Sequence, residues 1–149
     1  MSGPGGAALI AWLADREALR DLPQRYARAV DQRDFDALDA LFHPEGVVDG
    51  MRGRAEVPAY LATMRATPAS CAVSMHVLGD PLITLEPGAD TATMDTYAVV
   101  HQLERVQPPH DDATMGMRYL DEVVRTDDGW RIRHRRVELR WQRTTPRPA

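Results

Sequence analysis

The chain of 149 residues reads as an α+β domain in which helices cover one side of an antiparallel, strongly curved sheet. Three observations predict this. As far as Ala66, apolar residues recur at spacings of three and four, the helical period. From Cys71 onward, apolar and β-branched residues alternate with polar ones between turn signals, the period of half-buried strands. In the last strand Trp130, Ile132 and His134 share one parity while Val137, Leu139 and Trp141 share the other. Both sets reach one face only if an extra residue intervenes, so a β-bulge is expected near Arg135 and Arg136.

The elements follow in order. Met1–Gly6 is rich in glycine and proline and reads as a loose start. A helix is expected from Ala7 to about Arg33, with Leu19, Leu22, Tyr26, Ala29 and Val30 on its apolar stripe. Pro23 inside it removes a backbone donor and predicts a kink or restart. Asp34 has the chemistry of an N-cap for a short second helix carrying Ala37, Leu38, Leu41 and Phe42. His43-Pro44-Glu45-Gly46 reads as a turn, Val47-Val48 as a short strand, and Ala55–Ala66 as a third helix. Strands are then expected over Cys71–Leu85, Thr91–Val106, Thr114–Thr126 and Trp130–Arg143. Glu86–Asp90 and Gln107–Asp112 form connections, and Asp127-Asp128-Gly129 is a hairpin turn. Residues 7–143 therefore form one domain, with 1–6 and 144–149 as loose ends.

Composition narrows the chemistry. The net charge is −4 and the pI about 5.7, which argues against a broad phosphate-binding surface and hence against nucleic acid as the main partner. All 18 basic residues are arginine. Without lysine there is no Schiff base, no phosphate-loop lysine and no lysine base. Cys71 is the single cysteine, so an internal disulfide or a multi-thiolate zinc site is excluded. No signal-peptide pattern and no bilayer-length apolar run is present, and a cytoplasmic setting is expected. Neither a Gly-x-Ser-x-Gly turn nor a glycine-rich phosphate loop occurs. Two histidines and an aspartate could in principle form a metal triad, but no local ligand spacing supports one, so no metal and no cofactor is expected.

Histidine and carboxylate chemistry remains. Asp31 closes the first helix, where an acid opposes the helix dipole. On spacing alone it reads as a solvated helix-end carboxylate beside Arg33. His76 shares parity with Ala72, Ser74 and Leu78; it is either a core strand histidine or one that faces a cavity, where a carboxylate on its other nitrogen would set the tautomer. Tyr97 and His101 share a face about 13 Å apart, either lining a pocket or lying on a wet outer face. The arginines of the last strand, Arg131 to Arg143, read as an outer, solvated face, although one of them or Arg118 could meet a substrate anion.

Several segments resemble SnoaL-like proteins. Asp15–Leu22, Tyr26–Asp31, Asp34–Leu38 and Leu41–Pro44 are similar to that family's opening. Gly116–Asp121 and Asp128–Ile132 with Arg136 are similar to its last two strands. The resemblance implies the cone-shaped fold of nuclear transport factor 2, in which three helices pack on a bent mixed sheet around a deep apolar pocket. It spans scytalone dehydratase, hexachlorocyclohexane dehydrochlorinase, polyketide cyclases and small subunits of ring-hydroxylating dioxygenases, so the fold does not decide the reaction.

The dehydratase and dehydrochlorinase pattern, an aspartate ending the first helix and a histidine early in the sheet, matches Asp31 and His76. It implies His76 as general base and Asp31 as its orienting partner, with His101 matching a second histidine. Tyr26, Tyr97, Arg118, Tyr119 and Trp141 are the expected substrate-binding residues. The dehydratase tyrosines that handle the departing water fall at Val30 and about Gly50, so proton abstraction is matched and loss of water is not. The expectation is a lyase- or isomerase-type enzyme acting on a small, largely apolar carbonyl or phenol compound, in a homodimer or homotrimer. The alternative is a non-catalytic binding protein or a dioxygenase small subunit.

Overall fold

In the computed structural model, which describes residues 5–106, 108 and 110–147, the first periodic stretch is one helix, α1 (Gly6–Gln32). The expected looseness of residues 1–4 and 148–149, and the loop positions 107 and 109, lie outside the described residues. Pro23 neither ends nor restarts α1. Its ring is buried beside Leu19, Leu22, Tyr26 and Ala29, and burying large apolar groups at about 1.5–3 kcal/mol each outweighs one missing backbone bond. The short helix α2 (Phe35–Leu41) begins where Asp34 accepts the backbone N–H of Ala37 at 3.0 Å.

The sheet then builds in chain order: β1 (Phe42–Gly50), β2 (Gly53–Glu56), helix α3 (Val57–Ala66), β3 (Cys71–Leu78), β4 (Leu82–Thr84), β5 (Thr91–Arg105), β6 (Asp112–Thr126) and β7 (Gly129–Thr145). Spatial order is β2-β1-β7-β6-β5-β3, with β4 beside β5. All pairings are antiparallel except β1 with β7, so the sheet is mixed. Its inner face packs under the helices. Met94, Ala98, Val100, Met115, Met117, Tyr119, Val123 and Ile132 from the sheet join Leu19, Leu22, Leu38 and Leu41 from the helices in one core.

Several local expectations are corrected. His43–Gly46 is part of β1 rather than a separate turn, although pairing with β7 is irregular between Phe42 and Val47. Gly46 makes the close approach feasible, since a Cβ there would lie 2.7 Å from the carbonyl oxygen of Arg133. Gly53–Glu56 forms a short strand, which delays the third helix to Val57. Gly79-Asp80-Pro81 divides the Cys71–Leu85 stretch into β3 and β4.

The bulge in β7 lies earlier than expected. Val123 pairs with Ile132 and Glu122 with His134, so Arg133 is the extra residue. A second irregularity pairs Gly116 with Trp141 and Met117 with Leu139, making Arg140 extra. The first bulge turns His134 to the outer face and Arg135 to the inner one. Two such irregularities on one strand each bend it locally and increase its twist. Among the described residues no helix is long and apolar enough to cross a membrane.

Candidate active site

Helix α1 delivers Asp31 to the sheet. Arg33 adopts the left-handed conformation at φ 55°, and its N–H returns to Val30 O, which stops the helix within two residues of Asp31. Strand β3 lies beside it. Ser74 and His76 pair with Gln102 and Val100 of β5, and Val100 belongs to the core, so both β3 side chains stand on the inner face.

Three donors converge on the Asp31 carboxylate. His76 Nδ1 lies 2.6 Å from Oδ1, Ser74 Oγ donates to the same oxygen at 2.8 Å, and the His76 backbone N–H donates to Oδ2 at 2.8 Å. An ionised carboxylate only accepts, so Nδ1 carries the ring proton and Nε2 is left with the free lone pair. Hydrogen bonds to a charged acceptor contribute about 1.5–3 kcal/mol each, enough to retain an acid at a helix end that disfavours it. The His76 side chain is 9% exposed and that of Asp31 19%, so the pair is shielded yet open to solvent.

One aromatic ring abuts the histidine and ties it to an aromatic cluster. Tyr26 meets His76 edge-on with centroids 6.3 Å apart, and also contacts Phe42 and Tyr119. Arg135 lies beneath, 4.0 Å over the Tyr26 ring and 4.7 Å over that of Tyr119. Its side chain is fully buried and paired with Asp121. Burial works against the guanidinium charge, and Asp121 more than offsets it. Burial, and then the neighbouring Tyr26, push the Tyr119 hydroxyl well above the ordinary phenol range. For Tyr60 on α3 the Tyr26 phenol is the larger cause and burial the second. Both phenols are therefore protonated donors at neutral pH.

The structure brings Asp31, His76, Tyr26 and Tyr119 to one side of the sheet. Tyr26 and Tyr119 are only 5% and 3% exposed, so they belong to the packed core beside the dyad. His101, Tyr97, Arg118 and Trp141 lie on the opposite face, which corrects the expectation of a shared pocket. Met75 pairs with His101 while His76 pairs with Val100, and partners across a ladder share a face. His101 bonds Thr114 Oγ1 at 3.1 Å. Arg118 is engaged by Asp95 and Glu138 and stacks over Tyr97. Trp141 covers Gly116, where a Cβ would sit 2.0 Å from its Nε1.

Sequence reasoning misses Ser74, Tyr60 and Arg135. The parity that pairs Ser74 with His76 is visible in the sequence, but the hydroxyl reads there as merely small. Arg135 is hidden by its arginine neighbours, because only the bulge reveals its inward direction. Beyond the dyad, a groove of about 400 Å³ on the outer face is lined by Leu82, Thr84, His134 and Arg136. Another of about 570 Å³ lies between α2 and α3, against Asp39, Pro58, Leu61 and Arg65. Among the described residues no group of three histidine, cysteine or acidic side chains is arranged to hold a metal ion.

Comparison with known proteins agrees with this architecture. Residues 11–136 match the SnoaL-like domain. An uncharacterized protein of Mycobacterium tuberculosis is 32% identical over 139 residues, covering 88% of each chain. Among solved structures, the LinA-type3 hexachlorocyclohexane dehydrochlorinase of Novosphingobium barchaimii superposes with a TM-score of 0.78 at 17% identity, covering 91% of this chain and 93% of that one. A putative scytalone dehydratase of Novosphingobium aromaticivorans gives 0.77 at 18% identity, covering 92% and 90%. At such identities the structures establish the shared fold, that of nuclear transport factor 2, while the domain match decides membership. The chain belongs to the SnoaL-like family.

Proposed function

We propose that this protein is a cofactor-independent acid–base enzyme of lyase or isomerase type, acting on a small, largely apolar compound that bears a carbonyl or phenol. The observation that carries the reading is the 2.6 Å bond between His76 Nδ1 and Asp31, which leaves Nε2 as a base with a defined direction. In the proposed step Nε2 takes a proton from a carbon next to the activating group. Asp31 stabilises the imidazolium, and the released electron pair moves onto the carbonyl or expels a leaving group. The proton on Nε2 is then returned to the product or the leaving group. Elimination, isomerisation and cyclisation share this first step, and solved structures of dehydratase and dehydrochlorinase types share the fold.

The test is exchange of carbon-bound hydrogen for solvent deuterium in a panel of small cyclic ketones and phenols, followed by mass spectrometry. Wild-type protein accelerates exchange for at least one class, and His76→Ala and Asp31→Asn abolish it. Exchange that survives both substitutions refutes the reading. A homodimer or homotrimer is proposed with it, supported by the exposed Val73, Met75, Val77, Tyr97 and Trp141 on the outer face. Sedimentation showing only monomer at micromolar concentration would refute that part.

A further inference from the structure

We propose that Ser74 is a positioning residue of the dyad, whose hydroxyl keeps the proton of the Asp31–His76 hydrogen bond on the imidazole. The inference rests on the acid–base reading of that pair and assigns a role to a residue the reading does not use. The observation behind it is a shared acceptor. Asp31 Oδ1 takes both the ring Nδ1–H at 2.6 Å and the Ser74 hydroxyl at 2.8 Å. Two of the three donors on the carboxylate belong to His76 itself. Ser74 is the donor that comes from a second residue, and it shares Oδ1 with the ring proton.

Geometry explains why a serine can do this from position 74. Alternate residues of a strand stand on one face about 6.5–7 Å apart, so Ser74 and His76 flank a carboxylate inserted between them from above. Asp31 enters from the last turn of α1, which packs against β3. A torsion between tetrahedral and planar carbon is soft, so an aspartate carboxylate turns easily unless both its oxygens are bonded. Ser74 also occupies one lone-pair direction of Oδ1 and leaves the ring proton the other.

The electrostatic consequence concerns the base. In a short N–H···O contact the proton's position follows the balance of pull between the two heavy atoms. A second donor on Oδ1 draws density from that oxygen and weakens its pull on the ring proton. With Ser74 in place the proton stays on Nδ1, and the reacting lone pair remains on Nε2. Without it Oδ1 pulls harder on the ring proton, while the two His76 donors still hold both carboxylate oxygens.

The test reads the shared proton directly and needs no substrate. Imidazole ¹⁵N–¹H spectra are recorded for wild type, Ser74→Ala, Ser74→Cys and Ser74→Thr, with His76→Gln assigning the signal among the five histidines. The expected result is a downfield move of the His76 Nδ1 proton and a smaller one-bond coupling in Ser74→Ala. Ser74→Cys, a weaker donor, moves it part of the way, and Ser74→Thr retains the wild-type values. A signal unchanged in both Ser74→Ala and Ser74→Cys overturns the proposal, as does Ser74→Thr behaving like Ser74→Ala. These outcomes leave the dyad standing. A wild-type spectrum with no proton on Nδ1 overturns the dyad and this proposal together.

Discussion

Arg135 and Asp121 form a two-pronged pair, with Nε and Nη2 each 2.7 Å from a carboxylate oxygen and neither side chain reaching solvent. They are direct partners across β6 and β7, on the inner face because the Arg133 bulge shifts the parity of β7. The third nitrogen, Nη1, is buried without a hydrogen-bond partner, and the guanidinium is covered by the Tyr26 and Tyr119 rings. A buried pair of this kind is costly to break from one side, because the remaining charge stays in a low-dielectric interior.

The first prediction follows from that asymmetry. Asp121→Asn should destabilise the protein by about 3–5 kcal/mol in denaturant unfolding. Replacing both partners by apolar residues of similar volume, Arg135→Met with Asp121→Leu, should cost clearly less than the single change. A double variant as unstable as the single one would mean that the pair contributes through shape rather than charge.

Two glycines predict opposite behaviour. A Cβ on Gly46 would meet backbone, the Arg133 carbonyl at 2.7 Å and the His43 carbonyl at 2.9 Å. Gly46→Ala should therefore cost about 1–3 kcal/mol, since β1 must separate from the β7 bulge. At Gly116 the obstacle is the half-exposed Trp141 side chain, which is free to turn outward. Gly116→Ala should leave the unfolding midpoint nearly unchanged and move the tryptophan emission to longer wavelength. Equal destabilisation in the two variants would contradict this distinction.

Much of this architecture is legible in periodicity. Leu19, Leu22, Tyr26 and Ala29 mark the buried stripe of α1, and the alternation through Thr91–Arg105 marks β5. The meeting of Asp31 with His76 rests on the resemblance, because no local pattern reveals a contact across 45 positions. Face assignment is harder to read. His101 and His76 look equally inward until the ladder register separates them. Arg135 looks like its solvated neighbours until one bulged residue inverts the parity of the strand. A period of two has no memory of an inserted residue, so a sequence containing a bulge shows two consistent patterns without showing where they join.

The acid limb of stability has a defined sign. Asp15 is held below the ordinary carboxylate range chiefly by hydrogen bonds from Arg125, against a smaller desolvation cost, with Trp130 as a further donor. A carboxylate whose pKa is lowered by folding contributes its stability above the unfolded value and loses it as pH falls through the folded one. Asp15→Asn should cost about 1 kcal/mol at pH 7, within the range of partly exposed pairs. The gap between variant and wild type should narrow as pH falls below about 4. Chemical denaturation at pH 7, 5 and 3 measures it, and a gap that widened toward acid would reverse the assignment.

The sharpest functional prediction uses the two faces of the sheet. His76 and His101 stand on adjacent strands, one residue out of register, so their side chains leave the sheet in opposite directions. Of these two, His76 has a carboxylate on its ring, whereas His101 bonds a threonine hydroxyl. His76→Ala should lower proton-abstraction activity by at least about 100-fold, the lower range for loss of a general base. His101→Ala should leave that rate unchanged. Its effect should appear instead in sedimentation, since His101 lies among Met75, Tyr97 and Trp141 on the outer face. Deuterium-exchange rates for the two variants at matched concentration decide the matter. A comparable loss in both would require the two histidines to serve one site, which a single sheet with this register does not allow.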